Sequence, residues 1–508
     1  LVTRTIDDLY YTLTVTRFEL PPLVLTKALL LGLGASVVAA LLPAREATAA
    51  PPGVALSRAQ LEARWQAALP RFSLAGLALV LTGALVLWFS DGLVGGFAGL
   101  FALVIGCALL CPVALVGMAA LAARLPGGEL WRMAVRGTVR QLSRTGVAAA
   151  ALAVAFSATV GVGVMVDSFR SGVIVWLEDL LTADFYIAPI EEGSIDRTLD
   201  PAVLERLPGI SGVAAVATAR WREVWLRGRP TDLSAMRLPP VARAGYRFRS
   251  GEPAAAWRGF DAGAVLVSEP LAYRHGLAPG DAITLSTDRG PVNFPIAAVF
   301  YDYGSEHGRI LLAAEHYRRH WDDPARDSAA VFAAADADRA DLRETLQRAL
   351  GPLQPLRIRS DGELYRLTLE VFDRTFTITG VLRLLAIAVA AVGLVSALLA
   401  QLLERAREFS VLRALGLTPR GLGGLLALQS GLLGLAAGLL ALPLGLLLAA
   451  VLIFVINRRA FGWTLPFEVD PMILLHTVGL AVVAALLAVL VPLWRLRRLE
   501  PAEGLRAE

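Results

Sequence analysis

The chain has 508 residues, of which 56% are hydrophobic and 18% charged. That much apolar surface exceeds what a water-soluble globule can bury, so the composition excludes a soluble protein and calls for an integral membrane protein with one sizeable water-exposed part. The net charge of +4 is carried by arginines beside apolar runs, which is membrane-topology charge and not a nucleic-acid footprint.

Seven apolar runs are long enough to cross a bilayer: Leu23 to Leu42, Phe72 to Phe89, Leu93 to Ala122, Gly146 to Val166, Ile378 to Leu403, Leu422 to Ile456 and Met472 to Val491. The expected fold class is thus a polytopic α-helical membrane protein of about seven spans with one large α+β extracytoplasmic domain. In chain order we expect an extracytoplasmic loop at 1–22, a span at 23–43, a cytoplasmic linker at 44–71 and two spans within 72–122. A cytoplasmic amphipathic helix at 129–145, a span at 146–168 and the large domain at 169–375 follow. The remainder is a span at 376–403, a charged cytoplasmic segment at 404–420, a span at 421–456, an outer loop at 457–471, a span at 472–492 and a cytoplasmic tail at 493–508.

Orientation follows from basic residues. Arg45, Arg58, Arg64 and Arg71 fall in one interspan segment, Arg124 to Arg144 in another, Arg405 to Arg420 in a third and Arg495 to Arg506 in the tail, all on one side of a seven-span arrangement. That side is read as the cytoplasm, although Arg458 and Arg459 dilute the contrast, and the N-terminus is expected outside. The opening LVTRTIDDLYY lacks Met, a basic leader and an apolar leader segment, so the chain is expected to be a fragment whose upstream spans are missing. An internal repeat supports this: residues 18–56 align without a gap to residues 467–505 with eleven identities in 39 positions. Phe18/Phe467, Glu19/Glu468, Pro22/Pro471, Pro43/Pro492 and Pro52/Pro501 bracket the span in both copies.

Cys107 and Cys111 lie four apart in one apolar run, which suits helix packing better than a disulfide or a metal. In ELWRMAVRGTVRQLSRTG, Trp131, Val135, Val139 and Leu142 share one helical stripe and Arg132, Arg136, Arg140 and Arg144 a neighbouring one. This is an elbow suited to anionic headgroups, with a plain solvated helix as the alternative.

The block from Asp167 to Thr375 reads as mixed α and β. TADFYIAP and AAVFAAAD are expected strands, and DADRADLRETLQRALGP is an amphipathic helix entered at Asp336 or Asp338 and stopped at Gly351. The stretch from Gly263 to Gly304 reads strand, short helix, turn, strand, turn, strand. Enzyme motifs are weak here. Glu315, His316, His320, Asp322 and Asp323 lack the order of a zinc hydrolase site, and His275 and His307 read as surface residues. A binding or relay domain is expected, with no catalytic residue and no bound metal.

The single lysine, Lys27, is not in a Walker A loop, so ATP energy must enter through another polypeptide. The spans are nearly free of ionisable groups, with Arg383, His476 and Asp167 near their ends, which gives ion-coupled transport little support.

The stretch LLERAREFSVLRALGLTPRGL, Leu402 to Leu422, places six charged side chains between two apolar runs. On a helix, Phe409, Leu412 and Gly416 share a face, with Glu408 and Arg413 at its rim. Gly416 can stop the helix, and Thr418-Pro419 suits the N-cap and first position of the next. An ordinary positive-inside loop would explain the arginines alone.

These residues resemble the FtsX-like, MacB-type family of ABC transporter permeases, whose pattern R-x-x-E-[FI]-x-x-L-R-A-[LI]-G is matched by Arg405, Glu408, Phe409, Leu412, Arg413, Ala414, Leu415 and Gly416. RTGVAAAALAVAFSATVGVGVMVDSFR, VFDRTFTITGVLRLLAIAVAAVGLVSALL and PLWRLRRLEPAEGLR agree in order, so the likeness covers Glu129 to Glu508. The duplicated plan is similar to the ten-span members, the YbbP-type nearer than the BceB-type, with residues 23–43 standing for the last span of a first repeat. The resemblance implies a bacterial inner-membrane permease with a MacB-like periplasmic domain. It implies a coupling helix at Arg405, Glu408, Phe409, Leu412, Arg413, Ala414 and Gly416, and a partner cytoplasmic ABC ATPase, two copies per full-length permease, that binds ATP and Mg. It also implies mechanotransmission that extracts or exports a hydrophobic cargo such as a lipid, lipoprotein or lipopeptide, with membrane lipids and a periplasmic protein as further partners and nucleic acid as none. The alternatives are an ATPase-driven signalling protein regulating a periplasmic partner and an ion-coupled secondary transporter.

Overall fold

The computed structural model describes residues 22–49, 58–140, 142–190, 198–305, 307–404, 408, 411–413 and 415–498. The chain divides into two units. One holds the residues up to Val164, Arg374–Val451 and those from Val469 on; the other holds Met165–Asp373 and Leu452–Glu468.

The first unit is helical. Its helices are α1 (Pro22–Ala49), α2 (Arg58–Phe89), α3 (Leu93–Ala122), α4 (Glu129–Arg140), α5 (Leu142–Leu180), α6 (Asp361–Glu404), α7 (Pro419–Val451), α8 (Pro471–Ala488) and α9 (Leu490–Arg498), with α5 and α6 running past the unit boundary. Among the described residues six helices are long and apolar enough to cross a membrane. The remaining expected span falls on α1, whose described apolar stretch is Pro22–Val37. In the second copy of the repeat Pro471 opens α8, with Asp470 as its N-cap accepting from the Met472 N–H, as suits a residue with fixed φ and no N–H to satisfy.

Close approach between helices rests on small residues. A Cβ on Gly83 would stand 2.8 Å from the Gly99 carbonyl oxygen, and one on Gly76 2.8 Å from that of Gly106, so α2 and α3 meet backbone to backbone. Helix α7 does the same against α8, where a Cβ on Gly434 would meet the Ala485 Cβ at 2.6 Å. Leu152, Phe156, Leu394, Leu422, Ala437 and Ala481 form the centre of this unit's core. Outward lie Leu31, Trp88 and Val94, 75%, 82% and 85% exposed, a surface suited to lipid tails.

The second unit is built on a ten-stranded sheet ordered β10-β1-β9-β2-β3-β8-β5-β7-β4, with β6 beside β7. The strands are β1 (Phe185–Pro189), β2 (Val213–Leu226), β3 (Arg229–Arg237), β4 (Phe248–Ser250), β5 (Val265–Ser268), β6 (Ala282–Thr287), β7 (Gly290–Phe300), β8 (Arg309–Ala313), β9 (Ser328–Ala333) and β10 (Leu356–Ser360). Pairings are antiparallel except β3 with β8 and β5 with β7. Helices Pro201–Arg206 and Arg339–Leu350 cover β1, β9 and β10 through Val203, Leu342 and Leu346, with Leu207 just past the first helix. Helices Glu269–His275 and Ala314–His320 close a second core around Val267, Ile310, Tyr317 and Trp321. Asp338 caps the helix at Arg339, accepting from the Ala340 and Asp341 N–H groups, at one of the two residues expected from the sequence.

Candidate functional site

Two long helices flank the charged segment. At about 1.5 Å per residue, the 44 residues of α6 span about 66 Å, more than twice the hydrocarbon thickness. The span expected at 376–403 is therefore the second part of a helix that starts at Asp361. Its start is a capping box: the Ser360 hydroxyl accepts from the Glu363 N–H, and the Glu363 carboxylate accepts from the Ser360 N–H, both at 3.2 Å.

The turn between α6 and α7 has a defined geometry. The Leu417 N–H donates to the Leu412 carbonyl at 2.9 Å and the Gly416 N–H to the Arg413 carbonyl at 3.1 Å, with Gly416 at φ +101°. These bonds make a Schellman stop, and its left-handed position suits glycine. The Thr418 hydroxyl then accepts from the Gly421 N–H at 3.1 Å, and Pro419 takes the first position of α7. Leu412 and Leu417, four residues before and one residue after Gly416, both pack on the helical unit's core, which fixes the turn to the bundle. Glu408 and Leu415 face outward, Leu415 being 79% exposed, and Arg413 is half-buried. Arg405, Phe409 and Ala414 lie outside the described residues.

The elbow α4 packs on α3 and α7. Ala134, Val135 and Thr138 are buried, while Arg132 and Arg136 are exposed, so the helix is amphipathic as its sequence requires. Trp131 is half-buried and its indole N–H donates to the Ala122 carbonyl at 3.2 Å, and Arg132 pairs with Glu129 at 3.3 Å. Nothing is described of the Arg140 and Arg144 side chains. Leu115, Leu125, Val135, Leu432 and Leu439 line an apolar cavity of about 240 Å³ beside this helix.

In the sheet unit the polar cluster that sequence reasoning missed centres on Glu269 and Asp302. Glu269 is 1% exposed; its carboxylate accepts from Arg249 and from the Thr464 N–H, the latter at 3.2 Å. The Tyr303 hydroxyl donates to the Thr464 carbonyl at 2.7 Å and the Ser171 hydroxyl to Glu468 at 2.6 Å, so the segment after α7 is tied into this unit. Asp302, 2% exposed, accepts from the Gly304 N–H at 2.9 Å and stands 3.8 Å from Arg309. Burial pushes its carboxyl above the ordinary value, with Arg309 acting against that. Asp302, Arg309, Trp176 and Tyr303 contribute to a cavity of about 410 Å³.

The residues weighed for a metal do not converge. His316 Nε2 contacts the Asp261 carbonyl at 3.0 Å, His320 sits edge-on to Phe294, and Asp323 is bonded to Arg220 at 2.8 Å. Among the described residues no group of three or more metal-binding side chains is assembled.

Long apolar helices and a separate α+β sheet unit define a multi-pass membrane protein with a large extracytoplasmic domain. The model of the FtsX-like permease C-terminal domain matches residues 380–501, and that of the MacB-like periplasmic core domain matches residues 145–349. An uncharacterized ABC transporter permease protein of Mycobacterium tuberculosis is 38% identical over 526 residues, a match that takes in 100% of this chain and 61% of that protein. This chain thus spans less than two thirds of that curated relative. Among solved structures, it is similar to the periplasmic region of MacB from Actinobacillus actinomycetemcomitans, with TM-score 0.30 and 13% identity over 38% of this chain and 95% of that one. It is also similar to the extracellular domain of the noncanonic ABC-type transporter YknZ from Gram-positive bacteria, with TM-score 0.27 and 11% identity over 35% and 99% of the two chains. The chain thus carries an FtsX-like permease C-terminal domain and a MacB-like periplasmic core domain, and is a multi-pass inner-membrane protein with a periplasmic domain that is similar to ABC transporter permeases.

Proposed function

We propose that this chain is the membrane part of an ATP-driven machine that moves a hydrophobic cargo such as a lipid, lipoprotein or lipopeptide out of the inner membrane or through the periplasm. Of the family's members, the YbbP-type ten-span permeases are the ones we place it beside. The energy comes from a separate cytoplasmic ATPase, two copies per full-length permease, which binds ATP and Mg. That subunit docks on the segment at 404–420, and the movement is transmitted to the periplasmic domain.

The observation that carries this reading is the turn at Leu412–Thr418. A Schellman stop, an N-cap and two leucines packed on the bundle fix the turn ahead of α7, with Glu408 and Leu415 outward. A force on that segment reaches both helices, whereas an unstructured charged loop would absorb it. An exposed apolar side chain beside a carboxylate also suits an apolar groove with a basic rim on the partner. In the sheet unit Trp225, 62% exposed near the tip of the β2–β3 hairpin, is the side chain on which a periplasmic protein partner would dock.

The test uses the full-length permease purified together with the ATPase encoded beside it. Wild type is expected to retain the ATPase, and Glu408→Arg and Phe409→Ala to lose it at normal membrane levels. Retention by both variants would overturn the docking role.

A further inference from the structure

The sheet unit has a second cavity, of about 370 Å³, whose chemistry the coupling mechanism does not use. It lies on the face of β10, β1, β9 and β2 opposite to the helices Pro201–Arg206 and Arg339–Leu350. Its floor is made of small side chains: Ala188 of β1, Ser328 and Ala330 of β9, and Ala217 and Ala219 of β2. The register sets them side by side, Ala217 opposite Ala330 and Ala219 opposite Ser328. Because these positions carry so little volume, the face is left as a trough. Leu180, Leu238, Phe332 and Leu364 wall it, and Trp221, 53% exposed, stands at its rim.

The charge of the wall is one-sided. Arg309, Arg357 and Arg359 contribute to it, and among the described residues that line it none is acidic. Arg309 already has Asp302 at 3.8 Å. Arg357 and Arg359 alternate on β10 and pair in register with Ala188 and Tyr186, so both reach the trough from its edge strand. Asp184, beyond the wall, is taken by Arg339 at 2.7 Å. The Tyr186 hydroxyl accepts from the Ala183 N–H at 3.2 Å and keeps its proton, burial pushing it up to about 12, so it remains a donor. A mostly apolar trough ending in two guanidinium groups and a phenol matches one kind of guest: an apolar chain with an anionic head.

We propose that this trough binds a single acyl chain ending in a carboxylate, the tail lying over the alanine floor and the head held by Arg357 and Arg359. The assignment names a cargo chemistry for the transport reading above, and it is tested without any ATPase, so either reading can fail while the other stands.

The experiment uses the whole chain in nanodiscs of zwitterionic lipid, with a photoreactive palmitate as probe and peptide mapping of the cross-link. Saturable labelling of β9, β2 or the Leu180–Ala183 segment is expected. The double variant Arg357→Glu/Arg359→Glu should weaken binding about tenfold or more, the scale of losing a charge-assisted bond. Ala330→Phe, which fills the floor, should abolish labelling while leaving the charges in place. Thermal unfolding of each variant is followed in parallel, and competition with an alkyl ammonium of the same length should be at least about tenfold weaker than with palmitate. Labelling no greater than that of empty nanodiscs, equal competition by the cationic chain, or labelling that survives both variants in folded protein would each overturn the assignment.

Discussion

Arg220 joins two stretches of the sheet unit through its two partners. Its guanidinium donates to Asp323 at 2.8 Å and to Asp327 at 2.6 Å, and Asp327 also accepts from the Trp221 N–H. Burial pushes the Asp323 carboxyl up, but the bonds from Arg220, the Ala325 N–H and the Tyr317 hydroxyl outweigh it and hold the group below 3.8. A depressed folded-state pKa stabilises above the unfolded value, and that contribution disappears as pH falls through the folded one. The stability gap between wild type and Asp323→Asn, measured by thermal unfolding, should therefore be steady near neutrality and close below about pH 4. Glu269 supports a second test. Glu269→Ala leaves Arg249 without its buried partner and releases Thr464, at an expected cost of about 2–3 kcal/mol. Faster tryptic cleavage after Arg458 or Arg459 in the variant is the readout. Sequence reading finds Glu408 and Gly416 because their signals are local. It misses Glu269, whose partners Arg249 and Thr464 stand 20 and 195 residues away, and it passes over Arg357 and Arg359 although LRIRS alternates with the period of a strand.

Elements show the same division. Strands β1, β5, β6, β7 and β9 and the helix Arg339–Leu350 were readable from alternation, caps and turn residues. The β2–β3 hairpin was not, since WREVWLRGRP is too charged to look like a strand pair. Its turn at Arg227 and Gly228, with φ +49° and +78°, is nonetheless the kind a two-residue hairpin loop uses. The early start of α6 was signalled by S-x-x-E at Ser360 and Glu363. Ser360→Ala should cost about 1 kcal/mol, read as earlier hydrogen exchange in the first turn of α6. In the helical unit, a leucine at Gly434 must displace the Ala485 Cβ and the Ala481 carbonyl, which a Cβ alone would approach to 2.6 and 2.7 Å. Gly434→Leu is expected to destabilise by about 1–3 kcal/mol or more, and size-exclusion profiles of detergent extracts would show loss of the monodisperse peak. Leu439, one face away and 42% exposed, gives the control Leu439→Ala, which should be tolerated.

For the whole molecule, the composition alone separates membrane helices from a water-exposed domain, and the family matches place the latter in the periplasm. An impermeant thiol reagent on intact cells checks this, with Cys107 and Cys111 first replaced by alanine. Arg357→Cys should react from outside, and Glu408→Cys only after the membrane is opened. Reaction of Glu408→Cys in sealed cells would remove the segment at 404–420 from the reach of any cytoplasmic ATPase. Proline placement adds a mechanical consequence. Helices α2, α3 and α7 carry Pro70, Pro112 and Pro443 in their interiors, while α5 and α6 contain none over 39 and 44 residues. Where α7 ends, the chain passes into a π-helical stretch, Leu452–Asn457. An interior proline or a π turn removes or displaces ladder bonds and lets a helix bend, whereas an unbroken ladder resists bending. Compliance is thus unevenly distributed: α5 and α6 behave as struts, whereas α7 can yield at Pro443 and at the π-helical stretch beyond its end, so a push on the α6–α7 turn would travel as thrust along one helix and be taken up by bending in the other.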